Sequence, residues 1–236
     1  MTLLLSGLLT PALISTVGSH AKASRYVELG NAGSDPQTPT LVLLDFDDSG
    51  SLASGNDPVG ARYEEAKRAL RHIAAASHTD SQQVAVFRFD HPEITPIGPL
   101  PLNSEISVGE LLTAADPPAE AMGSSSLTPS IMAMNRLAEQ HPASDKVAVI
   151  FSDFELFDQQ PTQPYEEIAR FPGLVHAVVL GNLPPAPLLV LPNVEVTQVS
   201  PSDPPGMLAA TLTHSLTRFR GGATRARIRS DTPRGG

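Results

Sequence analysis

Cysteine is absent from this 236-residue chain, which excludes a disulfide scaffold, thiolate metal sites and a cysteine nucleophile. Excess positive charge is absent too. The formal net charge is −9, whereas a nucleic-acid footprint needs a basic face to displace counterions from phosphates. No internal repeat at a solenoid or propeller period is visible, so the length points to one sizeable domain with additional segments at its ends. Hydrophobic residues make up 41% and charged residues 17% of the chain, a balance that excludes wholesale disorder. The N-terminal stretch MTLLLSGLLTPALISTVGSHAKA has no charged side chain before Lys22. It therefore lacks the basic start of an export signal, although Ala21-Lys22-Ala23 has the small-x-small form of a signal-peptidase site. Pro11 and two glycines interrupt it short of the ~20 consecutive apolar residues that a spanning helix needs. Export signal, membrane anchor and a helix lying on the domain all stay open for residues 1–37, and with them a cytoplasmic or an envelope location.

Proline, in contrast, is plentiful. Its 23 copies gather in HPEITPIGPLPL, NLPPAPLLVLP and SPSDPPG, which read as stiff loops between periodic segments. From Arg218 to Gly236 six arginines stand against Asp231 alone, so the rest of the chain carries −14. A Gly- and Arg-rich end of this kind reads from residue 219 onward as a disordered, solvated tail, and secondarily as a contact for an acidic partner or a lipid surface.

Between these ends two periods alternate. TPTLVLLDF (38–46), QQVAVFRF (82–89), KVAVIFS (146–152), LVHAVVLG (174–181) and NVEVTQVS (193–200) are apolar or β-branched runs of strand length. The first, third and fourth are nearly continuous, as parallel strands covered on both faces are. Asp57 and Pro58 read as the cap and first turn of a helix whose buried face is Val59, Tyr63, Ala66, Leu70 and Ile73. A second helix is expected from Thr128 and Pro129, with Ile131, Met134 and Ala138 on one face, and a last one after Asp203 and Pro204, with Leu208, Leu212, Ser215 and Phe219 in register. Residues 104–115 and 164–171 are shorter candidates. The alternation predicts an α/β domain over 38–218, a doubly wound, mostly parallel sheet flanked by helices. In such sheets ligands sit outside the carboxyl ends of the strands.

That rule gives meaning to LVLLDFDDSGSLASG (41–55), an apolar strand that ends in three acids and a run of hydroxyls. Asp45, Asp47, Ser49 and Ser51 fall at the carboxyl end of the first strand, Ser152 and Asp153 end the third, and GSSSLTPSI from Gly123 lies just before a helix. Three loops thus offer hard oxygen donors to one rim, a set suited to magnesium, manganese or calcium rather than zinc or copper. In these pieces the sequence resembles the von Willebrand factor type A domain, whose metal-ion-dependent adhesion site is written D-x-S-x-S, then a threonine in a Gly-containing loop, then an aspartate after a later strand. DDSGS supplies Asp47, Ser49 and Ser51, Ser125 takes the threonine position, and IFSDFE supplies Asp153. The resemblance implies that Ser49, Ser51 and Ser125 ligate a divalent cation while Asp47 and Asp153 hold its coordinated waters. It further implies that a partner protein's Asp or Glu completes the shell, with no reaction catalysed. Bacterial relatives in that family work beside an ATPase or within an envelope assembly. Three departures stand out: serine at 125 in place of threonine, Phe154 where glycine usually follows the aspartate, and Asp48 inside the motif. Phe154 is expected to send the loop along a different path, and Asp48 to point to solvent or to tighten the hold on the metal.

The same first strand also resembles the opening motif of haloacid dehalogenase-like phosphatases, with Asp45 as nucleophile, Asp47 as general acid/base and Ser152 as a second-motif hydroxyl. That chemistry needs a lysine or arginine against the phosphate and a further acidic pair after a later strand. No lysine follows Lys146, and the next strand ends VLGNLPPAP without an acid. The histidines are scattered and no serine sits in a nucleophile elbow.

Overall fold

The computed structural model describes residues 25–57, 59–89, 95–120 and 125–230. The export or anchor reading of the first 23 residues and the helix-start role of Pro58 lie outside the described residues. In chain order the elements are β1 (Arg25–Glu28), β2 (Thr40–Asp47), a single π-helical turn (Leu52–Asn56), α1 (Ala61–Ala74), β3 (Gln82–Phe89), β4 (Ile97–Pro101), α2 (Glu105–Ala114) and α3 (Thr128–Gln140). They continue as β5 (Asp145–Ser152), α4 (Gln163–Arg170), β6 (Leu174–Leu180), α5 (Ala186–Leu189), β7 (Val194–Val199), α6 (Met207–Leu216) and β8 (Arg227–Ser230).

Six strands form one sheet in the order β4-β3-β2-β5-β6-β7, parallel except for β4. All eight residues of β2 are buried. This follows from its place at the centre, with α1, α2 and α6 on one face and α3, α4 and α5 on the other. Val42, Leu44 and Phe46 face the first layer, where Phe46 stacks on Phe151 at 5.2 Å and meets Tyr63. Leu41 and Leu43 face the second, with Ile131, Met134 and Ile168. The winding direction reverses between β2 and β5, whose neighbours lie on opposite sides, so the crevice for a ligand opens at the carboxyl ends of these two strands.

Two helix starts depart from the expected ones, and at α1, α3 and α6 carboxylates accept the unpaired N–H groups of the first turn. α1 begins at Ala61, after Gly60 in the left-handed region (φ 63°). Asp57 still reaches it, accepting from Ala61 N at 2.7 Å and Arg62 N at 3.1 Å. Val59, expected on the buried face, precedes that turn and is 83% exposed. Asp203 accepts from Ser200 N, and the start of α6 is held instead by Glu65, which accepts from Gly206 N and Ala209 N. Phe219 packs against the core from beyond the end of α6.

Two expectations from composition are corrected. The proline stretch at 91–102 holds an edge strand, β4, in which Pro99 and Pro101 are tolerated because an edge strand leaves one side of its ladder unpaired. The supposed tail is structured from Arg220 to Ser230. Arg220 is 6% exposed, and its guanidinium donates to Ala32 O, Gly33 O, Ala76 O, Ser77 Oγ and Gln82 Oε1. Beyond it β8 pairs antiparallel with β1. The segments 25–37 and 219–230 are therefore a paired ribbon laid on the domain.

Candidate metal site

Asp47, the last residue of β2, is fully buried, and both of its carboxylate oxygens are engaged. Oδ1 accepts from Ser49 N at 2.9 Å and Oδ2 from Ser152 Oγ at 2.6 Å. Ser152 closes the adjacent strand β5, and its Oγ also accepts from Phe154 N at 2.8 Å. This hydroxyl thus joins the two central strand ends. The first bond turns the chain after β2 so that the Ser49 and Ser51 hydroxyls meet at 3.1 Å. Ser49 is buried, while Ser51 is half-buried and marks the open side.

Asp153 is 2% exposed and equally constrained. Its Oδ1 accepts from Glu155 N at 3.1 Å and its Oδ2 from Asn56 Nδ2 at 3.0 Å, at the end of the π-helical turn. Asn182, just past β6, donates to Asp153 O at 3.4 Å and to Glu155 Oε1 at 2.9 Å. Phe154 has φ 57°, in the left-handed region that glycine favours, with its ring buried in the second core layer. The backbone takes the conformation glycine would take, and ring burial offsets a strain of order 1 kcal/mol.

Ser125 lies on the loop before α3. Phe157 N donates to its carbonyl at 2.8 Å, and Asp158 accepts from Ser126 Oγ, Leu127 N and Thr128 N. The loop that carries Asp153 therefore continues directly into a latch on the loop that carries Ser125. The Ser125 side chain is 2% exposed and its Oγ has no hydrogen-bond partner among the described residues. Among the described residues its side chain makes no hydrogen bond to Asp47, Ser49 or Ser51, and the Asp153 carboxylate likewise makes none to the other four expected site residues.

Among the described residues no Lys, Arg or His forms an ion pair with Asp47 or Asp153, and the nearby Arg88 is paired with Asp48. Burial pushes the Asp47 carboxyl from 3.8 up to about 6, and the nearby Asp153 adds to the rise. Hydrogen bonds from Ser152 and Ser49 offset it only in part. Among the described residues no three of His, Cys, Asp and Glu converge as a metal cluster. The rim offers instead two oriented carboxylates and three hydroxyls, a donor set that suits a hard cation through few anionic contacts.

The neighbouring acids do other things. Asp48 turns neither to solvent nor toward Ser49. It is 1% exposed on the opposite face of β2, accepting from Arg88 Nη1 at 2.7 Å and from Tyr63 OH at 2.5 Å. Asp45 is fully buried one turn of the pleat deeper and accepts from Ser130 Oγ of α3 at 2.9 Å. Asn56, Asp158 and Asn182 were not legible as site residues in the sequence, since each acts by holding another side chain or backbone and none belongs to a spaced pattern.

No protein-family model and no curated protein sequence matches the chain. Among solved structures, the fold is similar to that of the pilus adhesin SpaC from Lactobacillus rhamnosus GG, with a TM-score of 0.63 at 11% identity over 84% of this chain and 34% of that one. It is similar also to the PilB minor pilin from Streptococcus sanguinis, in a point-mutant form (TM-score 0.56, 10% identity, 77% of this chain and 62% of that one). A third likeness is to proximal thread matrix protein 1 from the mussel byssus (0.52, 16%, 87% and 51%). This chain thus spans about a third of the length of the SpaC chain. At such identities the likeness is one of fold: a mixed α/β domain with a mostly parallel sheet between helical layers.

Proposed function

We propose that this chain is a divalent-cation-dependent protein-binding module of the von Willebrand type A kind. Ser49, Ser51 and Ser125 hold magnesium, or manganese or calcium, through their hydroxyls, and Asp47 and Asp153 hold its coordinated waters. A cation so bound offers an electrophilic position to an Asp or Glu side chain of a partner protein. The observation that carries this reading is the Ser125 hydroxyl, buried at the rim without a partner among the described residues. A lone buried hydroxyl costs about 1 to 3 kcal/mol, and a cation is the ligand whose other donors already stand on the adjoining loops. The division of roles is supported by the hydrogen bonds: both oxygens of Asp47 and both of Asp153 accept from protein donors, which orients them without committing them to direct ligation.

The phosphatase reading finds no support in the position of Asp45. A nucleophile must meet an incoming phosphate, and this carboxylate is fully buried beside Ser130. We therefore read the chain as a binding module and not as an enzyme. The test is a magnesium titration followed by thermal unfolding, with a phosphate-ester assay alongside. Magnesium should raise the midpoint of the intact chain and leave that of the paired substitution Ser49→Ala with Ser51→Ala unchanged, without hydrolysis in either. Magnesium-dependent hydrolysis that disappears in Asp45→Asn overturns the assignment.

A further inference from the structure

The arginine-rich end has no part in the rim, and the structure gives it a definite form. β1 and β8 pair as a two-stranded ribbon with Arg25 opposite Ser230, Tyr26 opposite Arg229, Val27 opposite Ile228 and Glu28 opposite Arg227. Directly opposed residues share a face. Val27 is buried against the body, which fixes the other face, with Tyr26, Arg227, Arg229 and Glu28, as the outer one. Arg229 pairs with Glu28 at 2.5 Å. Arg25 at the tip, Arg227, and Arg225 just before β8 are exposed and have no carboxylate partner among the described residues. Tyr26 is 40% exposed on that outer face, and Ile228, which shares the inner face with Val27, still leaves 49% of its surface exposed. By contrast, residues 31–219 carry 23 acidic and nine basic side chains. One small basic and amphipathic surface therefore stands out from an acidic body.

We propose that this ribbon is a contact surface for an anionic lipid bilayer. The arginines match the charge of acidic headgroups, and the exposed phenol ring among them suits the boundary between headgroups and acyl chains. The acidic body repels such a surface, so the approach is oriented by the ribbon. At physiological ionic strength the repulsion from more distant acids is screened beyond about 8 Å. The sequence just before Arg25 also suits this setting, having no charged side chain ahead of Lys22. An acidic protein would match the charge equally, but gives no role to the uncharged stretch that precedes the ribbon.

The experiment uses the full chain in chelator, so that the outcome is independent of the proposed metal site. Sedimentation compares vesicles of phosphatidylcholine alone with vesicles also containing phosphatidylserine. Binding should favour the anionic vesicles and weaken with salt. Each unpaired arginine near the surface contributes about fivefold to partitioning, so replacing Arg25, Arg225, Arg227 and Arg229 together by glutamine should cut the serine-lipid preference about 100-fold or more. The same four positions replaced by lysine should keep most of it, which separates charge from any effect on folding. Equal binding to both vesicle types, or a glutamine variant indistinguishable from the parent, overturns the proposal. Binding to immobilised polyglutamate without binding to anionic vesicles also overturns it and assigns the ribbon to an acidic protein.

Discussion

Replacing Asp47 by asparagine should stabilise the metal-free protein at neutral pH while abolishing its response to magnesium. The carboxyl stands at about 6 in the fold against 3.8 in the unfolded chain. Below pH 3.8 both states hold the proton and the group is neutral in its effect. As pH rises through 6 the folded state must ionise a buried acid that water would have ionised more easily, so stability is lost across this window. The full cost is about 3 kcal/mol by pH 7.5. An amide at the same position keeps the acceptor for Ser49 N but must donate toward Ser152 Oγ, reversing a bond that now runs the other way. That rearrangement costs about 1 kcal/mol, leaving a net gain of about 2 kcal/mol. For a chain of this length the gain corresponds to roughly 4 to 8 °C in the unfolding midpoint. Calorimetric unfolding of Asp47→Asn and parent in chelator, at pH 4 and 7.5, reads it directly. The variant's midpoint should lie slightly below the parent's at pH 4 and above it at 7.5, and added magnesium at 7.5 should close the gap by raising only the parent. A variant less stable than the parent at pH 7.5 in chelator refutes the argument that the buried, ionised Asp47 destabilises the metal-free fold.

Ser125→Ala should leave the midpoint in chelator unchanged or slightly raised, since its hydroxyl gains nothing from the fold, while magnesium affinity measured by calorimetry falls about 10-fold or more. Asp158→Ala removes the latch on Ser126, Leu127 and Thr128 and should cost about 2 kcal/mol in urea unfolding, with weakened magnesium binding because the Ser125 loop is no longer held. His176 is buried between Ser215 and Thr197, and burial pulls its pKa from 6.5 down to about 4. Its neutral form supports the fold fully above 6.5, and about 3 kcal/mol is lost as pH falls from there to 4. In His176→Gln the urea midpoint should therefore depend less on pH between 7 and 4.

The fold was legible where the chain states it locally. The nearly unbroken TLVLLDFD of β2 and DKVAVIFS of β5 could serve only as covered parallel strands, and Ile131, Met134 and Ala138 mark the buried face of α3 at helical spacing. What could not be read depends on distance along the chain or on geometry. β1 and β8 are four residues each and pair across some 200 positions, so neither YVE nor RIRS carries enough alternation to announce a strand. Asp45, Asp47 and Asp48 look alike as letters, yet the pleat and the strand end send them to three different surroundings: Ser130 in one core layer, Ser152 at the rim, and Arg88 with Tyr63 in the other layer. Asn56 and Asp158 were invisible because a residue that positions another has no chemistry of its own to recognise.

Titration calorimetry of magnesium into the intact chain tests the central claim most directly. The account predicts one site of modest affinity, saturating by millimolar metal, and absent from the protein carrying both Ser49→Ala and Ser51→Ala while Asp45→Asn retains it. No heat of binding to the intact chain at millimolar magnesium, manganese or calcium, with the protein folded, would contradict it.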